Sequence, residues 1–118
     1  MLLTFSLTMY VHDRIEHWVH EAIKGAYNDA SHHRRSETIR DSISPDDYIT
    51  WLGDEGEQAM DSTDLRITPE RNLTWGMFSD CLPVINWFVS NYPEWDFWLA
   101  IEVAGVAGNL GECWMYTR

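Results

Sequence analysis

The fold class is decided by residues 96–118, which read DFWLAIEVAGVAGNLGECWMYTR. In the first half, Phe97, Leu99, Ile101 and Val103 alternate with Trp98, Ala100 and Glu102, and GECWMYTR alternates again. Such alternation is typical of half-buried strands, and the glycine-rich GVAGNLG between them suits a hairpin connection. The sequence therefore predicts an antiparallel hairpin here.

A further strand and a helix are predicted from the first thirty residues. The segment LLTFSLTMY, residues 2–10, also alternates and is predicted to be a strand. From Val11 to Ala30 the apolar residues instead recur with the 3.6-residue period of an amphipathic helix. The polar segment that follows, residues 31–44, has no strong period and is predicted to be a loop, with at most a helical turn.

Two more helices are predicted in the middle of the chain. Ser44 and Pro45 form a helix-start signal for a helix through about Met60, weakened by glycines. A short strand is expected at 65–67. The next helix is expected to begin with Ser79 as its N-cap and to end near Tyr92, since Pro83 favours the first turn.

Together these elements predict one α+β domain, residues 1–118. A small antiparallel sheet, made of the N-terminal strand plus the C-terminal hairpin, is covered by about three helices. A chain of 118 residues can bury enough surface to fold without a disulfide or a metal. The two cysteines, Cys81 and Cys113, are interpreted as reduced thiols of a cytoplasmic protein. No convincing signal peptide or membrane span is found in the sequence.

Charge is unevenly distributed along the chain. The net charge is −11, yet residues 1–40 are neutral, while residues 41–70 hold nine acids and one base. A field of that sign repels nucleic acids and anionic membranes and attracts basic surfaces. The seven tryptophans are more than so small a core readily encloses, so some are expected at the surface, where tryptophan favours interfaces.

Signatures of catalysis and of metal binding are lacking in the sequence. We find no phosphate-binding loop, no nucleophile elbow and no cysteine–histidine spacing for zinc. We therefore expect no catalytic residues, no metal and no cofactor. The alternative is a small enzyme, metal-dependent or not, that uses the first helix, where His17 or His20 could act with Glu21 as acid–base partner.

The acidic segment is the predicted binding site. Residues 44–64 carry seven carboxylates and no lysine or arginine, and like charges spaced four apart on a helix destabilise it. Carboxylates with a tryptophan among them suit docking on a surface rich in lysine and arginine. The residues predicted to contact the partner are Asp46, Asp47, Trp51, Asp54, Glu55, Glu57, Asp61 and Asp64.

In size, acidity and lack of catalytic motif, the chain resembles two groups of bacterial and phage proteins. One comprises anti-restriction and anti-CRISPR inhibitors, many of which mimic nucleic acid; the other comprises immunity proteins against basic nuclease toxins. The resemblance implies a cytoplasmic inhibitor that occupies the basic surface of a nucleic-acid-handling enzyme. An immunity protein and an accessory subunit whose tryptophan surface is buried in an obligate complex remain alternatives. The oligomeric state is left open.

Overall fold

The computed structural model describes residues 3–11, 16–43, 47–53, 63–92, 95–103, 105 and 108–117. Three helices and five strands follow one another within these ranges. In chain order they are β1 (Leu3–Val11), α1 (Glu16–Ser31), α2 (Ile39–Ser42), β2 (Ile49–Gly53), β3 (Thr63–Pro69), α3 (Trp75–Asn91), β4 (Trp95–Val103) and β5 (Asn109–Thr117).

The strands form a single antiparallel sheet in the order β1-β4-β5-β3-β2. The predicted α+β class is confirmed, with an antiparallel sheet and three helices. β1 pairs with β4, and β4 pairs with β5, as expected for the N-terminal strand and the C-terminal hairpin. The sheet is larger than predicted because β3 and β2 extend it beyond β5.

The predicted helix over residues 44–60 is wrong, because Ile49–Gly53 is a strand. Its inward and outward positions alternate, and Trp51 pairs with Leu65 of β3. At Gly53 a Cβ atom would lie 1.8 Å from the carbonyl oxygen of Trp18, so a glycine is needed where β2 passes α1. The expected cap, Ser44 with Pro45, lies outside the described residues. The short strand expected at 65–67 is confirmed as part of β3.

Helix α3 begins five residues earlier than predicted. Its N-cap is Thr74, not Ser79, and the Thr74 hydroxyl accepts a hydrogen bond from the Met77 amide at 3.1 Å. The connection between α1 and α2 also caps this helix, since carbonyl groups at positions 37 and 35 accept the amides of Trp75 and Gly76. Pro83 consequently lies inside the helix, on its exposed side.

The start of the first helix also differs from the prediction. Val11, taken as the first apolar position of the helix, belongs to β1, and α1 is described from Glu16. The segment predicted to be a loop with a possible helical turn does contain one such turn, α2, whose Ile39 is fully buried. The backbone amide of Ile39 donates a hydrogen bond to the Leu73 carbonyl, and this bond fixes α2 beside the start of α3.

The core lies between the helices and one face of the sheet. Apolar side chains of α1 and α3 pack there against the inward residues of β2, β3, β4 and β5. Members of this core include Val19, Ala22, Ile23, Phe78, Leu82, Ile85, Leu65, Ile67, Leu99, Cys113 and Met115. The described helices do not cover the opposite face of the sheet. Among the described helices, none is both long and apolar enough to cross a bilayer.

Candidate binding surface

The sheet face that points away from the core carries a group of aromatic residues around one arginine. We call it the aromatic face and define it as Tyr48, Arg66, Trp98, Trp114 and Tyr116. Strand register explains the grouping, because Arg66 lies opposite Trp114, and Trp114 lies opposite Trp98 on the next strand. Residues directly opposite in an antiparallel pair share one face, so these side chains are neighbours.

Ring faces hold the Arg66 guanidinium. Its central carbon lies 4.0 Å from the ring centroid of Tyr48 and 5.5 Å from that of Tyr116. Both distances are within the range of cation–π attraction. The Nε atom of Arg66 is buried and makes no hydrogen bond within the described part of the chain. Aromatic contact, rather than a hydrogen bond at Nε, therefore keeps this side chain against the sheet.

Two tryptophans continue the aromatic face across the next strands. The ring centroids of Trp98 and Trp114 lie 6.1 Å apart at an interplanar angle of 62°. This edge-to-face arrangement is one that aromatic pairs favour. A shallow open depression is lined by Trp114 together with Arg66 and Tyr116. The pair thus forms one side of a surface that a partner can reach.

Apolar groups of this region are unusually exposed. Trp114 is 39% exposed, Leu52 of β2 is 53% exposed, and Tyr48 is exposed as well. Single exposed apolar residues are common on proteins, but neighbouring ones mark interaction surfaces. Sequence reasoning expected exposed tryptophans without naming them, although the alternation of β4 and β5 already put Trp98 and Trp114 opposite the core residues.

Of the eight predicted contact residues, one is exposed, two are buried and five lie outside the described residues. Asp47 is exposed and has Arg40 at 3.8 Å. Trp51 and Asp64 are buried, at 8% and 2% exposure, so neither offers a surface to a partner. The Trp51 indole instead donates to an oxygen of Asp29 at 3.2 Å. Five of the eight lie outside the described residues, namely Asp46, Asp54, Glu55, Glu57 and Asp61.

The sequence that connects β2 to β3 is acidic. In the sequence, Asp54, Glu55, Glu57 and Asp61 fall between the last residue of β2 and the first of β3. These two strands form the edge of the sheet that carries Leu52. The most acidic segment of the chain thus connects β2 to β3 in sequence.

A second polar group, on the helix side, surrounds His33. The imidazole lies flat on the Trp75 indole, with ring centroids 4.1 Å apart and an interplanar angle of 3°. Nε2 is 3.3 Å from a carboxylate oxygen of Asp29, and Nδ1 is 3.1 Å from one of Glu37. Both ring nitrogens of His33 therefore face carboxylates.

Serine and tryptophan side chains extend these contacts. The Ser42 hydroxyl donates to the second oxygen of Glu37 at 3.0 Å and accepts from the Trp75 indole at 3.0 Å. Asp29 accepts from the Trp51 indole. We call these six residues, Asp29, His33, Glu37, Ser42, Trp51 and Trp75, the His33 network. It links α1, α2, α3 and β2 and was not predicted from the sequence.

Hydrogen bonding lowers the pKa of the Glu37 carboxyl. The largest cause is the Ser42 hydroxyl, followed by His33, and both stabilise the ionised form. Burial acts in the other direction on the two free thiols. It raises the pKa of Cys81 to about 12, with a smaller contribution from Asp80, and it also raises the pKa of Cys113. Both thiols are therefore protonated near neutral pH.

The His33 network is not arranged for nucleophilic catalysis. The Ser42 hydroxyl donates to a carboxylate rather than to the imidazole, and both imidazole nitrogens face carboxylates. Of the residues proposed for an enzyme, His17 lies in α1 with a side chain outside the described part, while His20 and Glu21 are both partly buried on α1. Within the described ranges, no three potential ligands come together as a metal site.

Comparison of the chain with protein-family models, with curated proteins and with solved structures finds no match.

Proposed function

We propose that this chain is a non-enzymatic binding protein that inhibits a nucleic-acid-handling enzyme by occupying its basic surface. The observation that carries the proposal is the charge of residues 41–70, nine acids against one base, in a chain whose sheet also exposes neighbouring apolar groups. Enzymes that bind nucleic acids present clustered lysine and arginine to the phosphates. An acidic protein competes for that surface because it offers the same sign of charge.

The two parts of the surface have different roles. Carboxylates act over a distance of about a Debye length, roughly 8 Å at physiological salt, so they attract and orient a basic partner before contact. Exposed rings and Leu52 act only in contact, where apolar area leaves water. Charge therefore sets the rate of association, and the aromatic face contributes to the lifetime of the complex.

A cytoplasmic location and a non-enzymatic role form part of the proposal. Two free, buried thiols with raised pKa values suit a reducing compartment. The arrangement of Ser42 and His33, in which the hydroxyl does not meet the imidazole, supports binding rather than acyl transfer. The aromatic face supports recognition of a protein surface, since aromatic residues concentrate at interface centres.

An inhibition assay tests the proposal. Purified protein is added to a panel of basic enzymes, including a restriction endonuclease, a CRISPR effector and nuclease toxins, and cleavage of DNA or RNA is followed. We expect inhibition that reaches completion near one equivalent for one member of the panel. If no enzyme of the panel is inhibited, and circular dichroism shows that the added protein is folded, the proposal is contradicted.

Paired variants make the assay specific to the acidic segment. Glu55→Gln with Glu57→Gln removes two charges from the segment between β2 and β3, and Glu21→Gln with Glu94→Gln removes two charges elsewhere. The first pair is expected to weaken inhibition several-fold and the second to change it little. Equal weakening by both pairs would show that net charge, and not the segment, is responsible.

A further inference from the structure

We propose that the Trp114 indole, with Trp98 beside it, receives an arginine or lysine side chain of the basic partner. The inference rests on the proposed function, because it identifies the groups of that partner that the aromatic face binds. Trp114 is exposed and lies next to Arg66 in the cross-strand row. Both cation–π contacts described on this face join Arg66 to a tyrosine, so they leave the two indoles for an external cation.

The face itself shows that its rings accept a guanidinium. Arg66 lies 4.0 Å from the Tyr48 centroid, the distance of a close cation–π contact. Indole is a stronger cation–π partner than phenol, and a planar guanidinium also stacks on it. A partner arginine on Trp114 would therefore repeat, across the interface, the contact that Arg66 makes within the chain.

A carboxylate close to Trp114 completes the site. Glu112 precedes Trp114 by two residues on β5, so both side chains point to the same face of the sheet. Its cross-strand partners are Thr68 and Ala100, neither of which carries a charge. An arginine that stacks on the indole can donate to this carboxylate in the same pose, on the side of Trp114 along β5 rather than toward Arg66 on β3.

Charge favours a basic partner over a second copy of the chain. Each molecule carries a net charge of −11, so two copies brought together repel each other. A lysine- and arginine-rich surface gains from the same field and fits the carboxylate beside the indole. The occupant of the aromatic face is accordingly a cationic side chain.

Nuclear magnetic resonance of the full chain tests this assignment. The tryptophan indoles are labelled with 15N, and the protein is titrated with a nine-residue oligo-arginine peptide and with an oligo-lysine peptide of equal charge. We expect the indole signals of Trp114 and Trp98 to shift during the titration, and that of Trp87 to stay. Trp87, on α3, is 55% exposed and serves as the internal control for non-specific binding.

A matched pair of variants measures the contribution of the ring. Trp114→Leu keeps an apolar side chain but removes the π face, and Trp87→Leu makes the same change on α3. Loss of a cation–π contact weakens binding about 2- to 30-fold. We expect a loss in that range for Trp114→Leu and less than a twofold change for Trp87→Leu.

The outcomes separate this inference from the proposed function. Peptide binding that is equal in both variants, with no shift of the Trp114 signal, overturns the indole site while leaving an acidic binding protein. Absence of peptide binding to the wild-type chain contradicts both. A dimer without peptide that Trp114→Leu dissociates would assign the aromatic face to a second copy and also overturns the inference. The wild-type titration decides even where a variant fails to fold.

Discussion

On the helix-covered face of the sheet, the Trp51 indole donates to Asp29, and the His33 network links four elements. On the aromatic face, the Arg66 guanidinium is held by two tyrosine rings, and its Nε makes no hydrogen bond within the described residues. Directional hydrogen bonds fix one arrangement, whereas ring faces tolerate several. We therefore assign stability to the covered face, and we propose contact with a partner for the aromatic face.

The largest expected effect is the difference in the free energy of unfolding between a variant of the covered face and a variant of the aromatic face. Phe78→Ala on the covered face opens a cavity and should lower the free energy of unfolding by about 3–5 kcal/mol, because Phe78 is fully buried. Trp114→Ala on the aromatic face should cost about 1–2 kcal/mol, because its ring is partly exposed already. Urea unfolding followed by circular dichroism measures both. Equal losses would remove the distinction between the faces.

The next effect tests the hydrogen bonds of the covered face. Asp29→Ala should lower the free energy of unfolding by about 1–3 kcal/mol, since the buried Trp51 indole loses its acceptor. Asp29→Asn retains an oxygen that can accept from the indole and should cost less. Thermal or urea unfolding of the two variants checks the order. If Asp29→Ala leaves the free energy of unfolding unchanged, the contact with Trp51 does not contribute to stability.

A smaller effect is expected from the aromatic face. Tyr48→Leu keeps apolar area but removes the ring under Arg66, and a cation–π contact at such a site is worth about 0.5–1 kcal/mol. Leu52→Ala, at the exposed position of β2, is the control for loss of apolar area at this edge. Urea unfolding curves compare them. If Tyr48→Leu lowers the free energy of unfolding more than Asp29→Ala does, the assignment of stability to the covered face is wrong.

The smallest effect concerns pH. The pKa of Glu37 is lowered in the folded state, so the unfolded chain takes up this proton at a higher pH than the folded chain does. The contribution of Glu37 to stability is therefore present above its ordinary pKa of 4.5 and is lost as the pH falls through the folded-state value. Glu37→Gln should flatten the decline of stability below about pH 4.5, relative to wild type.

The control for this pH effect is Glu70→Gln, which changes an exposed carboxylate outside the network. Urea midpoints are measured from pH 3 to pH 6 for the three proteins. An unchanged slope in Glu37→Gln would mean that Ser42 and His33 do not hold its ionised form in solution.

Elements with local patterns could be predicted from the sequence. Alternation identified β1, β4 and β5, and the 3.6-residue period identified most of α1. The error at β2 arose because the helix-start signal SPDD outweighed the weak alternation of Ile49 and Trp51. Pairing with β3 and the contact of Gly53 with α1 decide that segment, and neither is local in sequence.

Predictions about the site depended on composition and could not locate side chains. The concentration of acids in residues 41–70 is visible in the sequence, but the burial of Asp64 and Trp51 follows from the sheet. The contact between Trp75 and Ser42 joins residues 33 positions apart, so no periodicity reveals it. Thr74 replaces Ser79 as the N-cap because other segments supply acceptors to the first turn of α3.

Salt dependence of the association rate is the most direct test of the central claim, that charge brings this protein to a basic partner. The rate constant with the enzyme found in the inhibition assay is measured by stopped flow from about 50 to 500 mM salt, where the Debye length falls from roughly 14 to 4 Å. With nine acids and one base in residues 41–70, we expect association to slow at least tenfold, about the effect of losing electrostatic steering. An association rate that does not change with salt would contradict the account.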